Sequence, residues 1–251
     1  MIPRNAILAA LSGAAFFVAP ALADPPVLEF PLDCTLGQDC VVQQYMDRDP
    51  GPGALDYTCG PLTYDAHTGT DIRLLDFAAM ASGVSVLATS PGIVTGLRNS
   101  APDTGRAGMT DGQECGNGVL IDHGDGWQTQ YCHMMQGSIT VTQGQVVQAG
   151  TPLGLVGYSG NTEFPHLHLS VRADGTPIDP FAPGPTCGDP GDGPLWQGDL
   201  AYQPGGILTA GFAPDMPTFE TIQAGQAGSD TLPANAPALV IWGYLFGARG
   251  R

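Results

Sequence analysis

Residues 118–134 read GVLIDHGDGWQTQYCHM. Two runs of alternating apolar and polar residues flank His-Gly-Asp-Gly, and Asp125-Gly126 suits the tight turn of a β-hairpin. Working outward, residues 84–89 (VSVLAT) and 92–98 (GIVTGLR) are apolar-rich runs split by Ser-Pro, a turn signal. Residues 99–117 are rich in Gly, Asp and Ser and read as a surface loop. Residues 146–161 give a strand, a turn and a strand, and HLHLSVR (166–172) is a further strand. A short strand is expected at 41–46 and a single short helix at 77–83. With 36 glycines and 23 prolines, turns are frequent and long helices are not expected. The fold class is therefore all-β, a mostly antiparallel domain over about residues 40–182. Alternation leaves one sheet face apolar and the other free for a site.

The 251 residues suffice for one large domain, or one domain with an appendage. The net charge of −16 argues against nucleic acid as a partner, because a phosphate backbone needs Lys and Arg along a groove. The basic residues are all arginine.

Residues 1–26 read MIPRNAILAALSGAAFFVAPALADPP: Arg4, an apolar run from Ala6 to Ala19, then Ala-Leu-Ala before Asp24. That is the pattern of a secretory signal peptide, 1–23. The apolar run is short for a membrane span, and no other stretch is long enough, so no span is expected once the signal is removed. Six cysteines, Cys34, Cys40, Cys59, Cys115, Cys132 and Cys187, agree with an exported protein in an oxidising periplasmic or extracellular setting. No C-x-x-C occurs, so disulfides are favoured over cysteine-bound zinc. Their connectivity stays open, with Cys115–Cys132 within the hairpin as one expectation.

Four of the five histidines, His67, His133, His166 and His168, lie in polar contexts separated by strands, and Asp71 follows His67 by four residues. On a strand, His166 and His168 project from one face, about 7 Å apart by strand rise. Two imidazoles and a carboxylate can hold a catalytic zinc, and a further imidazole can accept a proton. Each piece alone is weak, since a lone histidine is more often structural.

Together, HTGTD (67–71), HGDGWQTQYCHM (123–134) and GLVGYSGNTEFPHLHLSVRADGTPIDP (154–180) resemble, in order, the motifs of the lysostaphin/LytM-type zinc metallopeptidases, family M23. The resemblance covers about residues 60–182 and implies a compact antiparallel β-sheet domain with its site in a groove. It implies that one Zn2+ is held by His67, Asp71 and His168, with His166 as the general base and His133 positioning the water or stabilising the tetrahedral intermediate. Their division of labour stays open. Tyr131, two residues before His133, is read as sharing its face, lining the groove or packing. Ser159, Gly160 and Asn161 match a groove-lining loop, and His123 matches a structural histidine. Cys132 stands where a small residue is usual.

The implied function is a secreted zinc metalloendopeptidase that hydrolyses the peptide stems or cross-links of peptidoglycan. Two rival readings are a non-catalytic activator of other wall hydrolases and an exported peptidase acting on proteins. Against the first, all five histidine and aspartate positions are filled. Residues 24–59 are expected as an N-terminal segment across the groove, 183–194 as a linker, and 195–251 as a β-rich extension or incomplete domain.

Overall fold

A computed structural model describes residues 24–229 and 231–247. The expected signal peptide lies outside the described residues. Among the described residues, twelve strands, two short α-helices and one 3-10 turn (Gly105–Gly108) follow in chain order. They are β1 (Cys40–Gln44), β2 (Thr70–Leu74), α1 (Phe77–Ser82), β3 (Ser85–Leu87), β4 (Gly92–Arg98), β5 (Asn117–Gly124) and β6 (Trp127–Met134). Then come β7 (Val146–Val147), β8 (Pro152–Leu155), β9 (His166–Ala173), β10 (Thr176–Ile178), β11 (Gly206–Ala213), α2 (Phe219–Gln223) and β12 (Val240–Phe246). No helix among the described residues is long and apolar enough to cross a membrane.

The main sheet is antiparallel throughout, in the order β1-β2-β9-β6-β5-β4-β7, with β10 on the end of β9 left uncovered by β2. The fold is the all-β architecture expected from the strand pattern. The β5–β6 turn is Asp125-Gly126, with φ of 51° and 85°. Both central residues at positive φ define the turn that matches strand twist, which is why Asp-Gly stands there. Along β9, Leu167, Leu169 and Val171 enter the core with Ile72, Leu74, Val119, Ile121 and Tyr131. β3 pairs with β8 as a separate ribbon and contributes Val86 and Leu153 to the same core.

The flanking segments are built into this domain. Leu28, Leu32, Cys40, Val42 and Tyr45 from one side, and Leu195 and Trp196 from the other, are core residues. Within the N-terminal segment, residues 40–44 form the sheet edge, burying Cys40 and Val42 in the main core while Gln43 and Gln44 border the groove. β11 and β12 form a two-stranded ribbon that packs on Val41 through Leu208 and Phe246. A lone hairpin is marginal in water, so this packing holds it. Three disulfides join Cys34–Cys40, Cys59–Cys187 and Cys115–Cys132, the last being the expected hairpin bridge.

Candidate metal centre

Asp71 on β2 lies directly opposite His168 on β9, so their side chains share a face. His67, in the loop before β2, is buried with its Nδ1 2.6 Å from the carbonyl oxygen of Tyr45. A carbonyl only accepts, so Nδ1–H donates and Nε2 keeps a lone pair. That Nε2 lies 3.1 Å from Asp71 Oδ1 and 3.2 Å from His168 Nδ1. His168 Nδ1 is 2.8 Å from the same carboxylate oxygen, while its Nε2 is held 3.0 Å from Ser170 Oγ. Both outer ring nitrogens are thus anchored, and three ligand atoms converge, all within 4.8 Å of one another. Ligands of a tetrahedral zinc at its usual bond lengths sit about 3.3 Å apart, so donor set and spacing fit zinc. Anchoring the outer ring nitrogen is what a metal-binding imidazole requires.

Gly69 explains the middle of HTGTD. A Cβ there would stand 2.7 Å from His168 Nε2 and 2.6 Å from the carbonyl oxygen of Leu169. The loop passes this close to β9 only with glycine.

Burial would push the Asp71 carboxyl up, but the imidazoles of His67, His166 and His168 hold it well below the usual range. Burial lowers His67, yet the Asp71 charge and hydrogen bond raise it on balance. His168 is lowered, chiefly by burial. Asp71 is therefore ionised and His168 neutral, so each can offer a lone pair to a cation.

His133 sits beside this centre in an unusual backbone state, φ 63°. Across the β6–β9 ladder, Tyr131 pairs with Leu169 and Cys132 with His168. Tyr131 therefore faces the core, and simple alternation would send His133 there too. The left-handed backbone turns His133 onto the site face instead. This corrects the expectation that Tyr131 shares its face. Tyr131 is 0% exposed, and its hydroxyl bonds the Thr89 amide at 2.8 Å, far from any groove.

Ser159 is also not groove-lining. It is buried, its Oγ bridges Asn117 N and Met134 O, and its carbonyl accepts from His133 Nδ1 at 2.8 Å. Gly160 is buried against Glu114 and Gly116, at φ 82°. Of that loop, Asn161 reaches the groove.

His166 donates Nδ1–H to the Phe164 carbonyl at 2.9 Å, leaving Nε2 with its lone pair, 3.4 Å from Asp71 Oδ1. Its ring centroid is 4.7 Å from that of His133. Burial first, then the neighbouring His166 and His168, hold His133 well below its ordinary pKa, so it is neutral at pH 7. His123 is apart from the site, bonded to the Pro91 carbonyl and Thr129 Oγ1.

The groove has two lobes. One, of about 610 Å³, includes Asp71, His133 and His166 in its lining. The other, of about 320 Å³, includes His133, His168 and Ser170. His133, Asn161 and Tyr64 border both. Sequence reasoning missed Gly69, Ser170 and the Tyr45 carbonyl. Ser170, two residues past His168 on a strand, was legible from spacing; the Tyr45 carbonyl was not.

Residues 65–180 match the profile described as Peptidase family M23. That stretch of the chain is an M23 peptidase domain. Its M23 domain is 34% identical over 120 residues to DD-carboxypeptidase/endopeptidase Mpg of Neisseria meningitidis serogroup B, covering 48% of this chain and 23% of that protein. It is 33% identical over 112 residues to peptidoglycan DD-endopeptidase ShyA of Vibrio cholerae, covering 45% and 21% respectively. Among solved structures, the catalytic domain of the prophage-encoded M23 protein EnpA from Enterococcus faecalis aligns with a TM-score of 0.40. The identity there is 25%, over 57% of this chain and 90% of that one. The chain thus spans less than a quarter of the length of these curated relatives.

Proposed function

We propose that this protein is an exported zinc endopeptidase that hydrolyses peptide bonds in peptidoglycan stems or cross-links. One observation carries the reading: three anchored donors converge beside two further imidazoles whose Nδ1 protons are tied to backbone carbonyls. His67, Asp71 and His168 would hold zinc, which supplies Lewis-acid polarisation of a carbonyl and acidifies water. The rest falls to the chain's own groups. The groove holds the peptide extended, with the scissile amide at the His133 border of the two lobes. His133 is neutral and fixed in one tautomer, so its Nε2 accepts a proton from the attacking water and returns it to the leaving amine. His166, in the same tautomer, works with it in that transfer, and turnover needs both imidazoles. The substrate class follows the named activities of Mpg and ShyA. Export follows from the sequence of residues 1–23, and three disulfides with no free cysteine among the described residues support it.

Incubating the chain from Asp24 with purified peptidoglycan, with and without a zinc chelator, tests this by mass spectrometry of the soluble fragments. Chelator-sensitive release of cleaved cross-links is expected. His168→Ala is expected to lose both zinc and activity. His166→Ala is expected to keep zinc and lose most turnover, and zinc-free His166→Ala protein would overturn the division of roles.

A further inference from the structure

The larger lobe of the groove is bordered by residues from outside the family match. Gln43 and Gln44 from β1, Phe219 and Gln223 from α2, and Tyr244 from β12 line it together with Asp71, His133 and His166. The C-terminal unit is held there by Arg73, two residues beyond Asp71 on β2. The Arg73 guanidinium lies between two rings, 4.6 Å from the Phe164 centroid and 4.7 Å from that of Tyr244. It donates to the Tyr244 hydroxyl and, at 2.7 Å, to Gln43 Oε1. Arg73 is 4% exposed, and among the described residues no carboxylate lies within ion-pair distance of it. Aromatic faces and neutral acceptors take the place of a counter-ion. A buried cation held this way fixes Tyr244 relative to the strand that carries Asp71. Gln223 Nε2 lies 3.5 Å from the Tyr244 hydroxyl, and Phe219 packs edge-on to Tyr244 at 5.7 Å. Phe219 remains 56% exposed, so its ring is presented rather than consumed in packing.

The chemistry of this wall is uniform. It offers aromatic rings and primary amides, while the exposed ions of the lobe, Arg106 and Glu163, neutralise each other at 2.8 Å. Side-chain amides donate to and accept from peptide groups, and a ring covers a small apolar side chain. We infer that the C-terminal unit is a substrate subsite, in which Phe219 and Gln223 bind an uncharged stretch of extended peptide on one side of the bond to be cut. The inference rests on the endopeptidase reading for its reaction, but its binding half stands apart from cleavage.

The test measures cleavage and binding of soluble disaccharide-peptide dimers prepared from peptidoglycan. Wild type is compared with Phe219→Ala, Gln223→Ala and Ile241→Thr. Ile241 is exposed on the ribbon and does not border the lobe, so it serves as the control. For Phe219→Ala, KM is expected to rise about fivefold or more at nearly constant kcat, with zinc content unchanged and Ile241→Thr like wild type. Equal KM in all four proteins would overturn the inference. So would a loss of kcat together with zinc, which would make the unit a structural support. If wild type fails to cleave, calorimetric titration with the same dimers decides. Weaker binding by Phe219→Ala and Gln223→Ala then sustains the subsite while the endopeptidase reading falls. Absence of binding by wild type overturns both.

Discussion

Asp71 Oδ1 is the meeting point of three imidazoles, at 3.1, 3.4 and 2.8 Å from His67, His166 and His168. At this scale small atoms decide large effects. Gly69→Ala would drive a methyl group against His168 Nε2, the nitrogen that Ser170 anchors. Disturbing such an anchor lowers metal affinity by about 10–100-fold, so zinc titration should show that loss while the fold survives. Asp179 makes a second case, away from the site. It is 0% exposed, its Oδ2 lies 3.9 Å from Arg48 without a hydrogen bond, and burial pushes its pKa up to about 6 despite that arginine. The folded state therefore binds more protons than the unfolded chain between about pH 4 and 6, and stability falls as pH rises through that window. The accumulated cost above pH 6 is about 2–3 kcal/mol. Asp179→Asn keeps the acceptor for the Phe181 amide and removes the charge. Its melting temperature relative to wild type should thus be higher at pH 7.5 than at pH 4.5. An equal difference at both values would refute the assignment.

At the scale of elements, strand alternation placed most of the site. His166 and His168 share a face of β9, as their spacing requires, and the register with β2 brings Asp71 opposite His168. The failure of alternation at His133 is equally informative. One residue at φ 63° reverses the face of everything read from it, so Tyr131 went into the core while His133 came out. Nothing in YCHM marks that residue for a left-handed backbone. The state is held by neighbours: the His133 amide bonds the Cys115 carbonyl at 2.8 Å, and Cys115 is bridged to Cys132. Replacing both cysteines with serine should cost about 3 kcal/mol for a bridge spanning 17 residues. Thermal unfolding would measure it. Activity below the melting temperature should fall as well, because the bridge steadies the strand that carries His133.

For the whole molecule, the family match ends at 180 but the core does not. Tyr45, Tyr57, Phe181 and Tyr202 form one aromatic cluster, and Leu28 hydrogen-bonds the main chain of Leu195 and Gln197. Cys59–Cys187 closes these flanks across 128 residues. A loop that long carries a large entropic cost when opened, about 5 kcal/mol, so serine at both positions should lower the denaturant midpoint more than loss of Cys115–Cys132. A smaller shift would mean that the flanks are secured by packing alone.

By itself the sequence determined the all-β class and the hairpin with its Asp-Gly turn, and, through its resemblance to M23 motifs, the residues that meet at the centre. These depend on period-two patterning and on short motifs, both local properties of the chain. Tertiary structure decided what lies outside local pattern. It set the face of His133, through a backbone state held by contacts distant in sequence. It made Ser159 a support for that imidazole rather than a groove residue. It also carried the C-terminal ribbon to the groove, because a two-stranded unit cannot bury its own apolar face and must find one elsewhere. Arg73, between Asp71 and the helix cap Asp76, is where that docking is fixed.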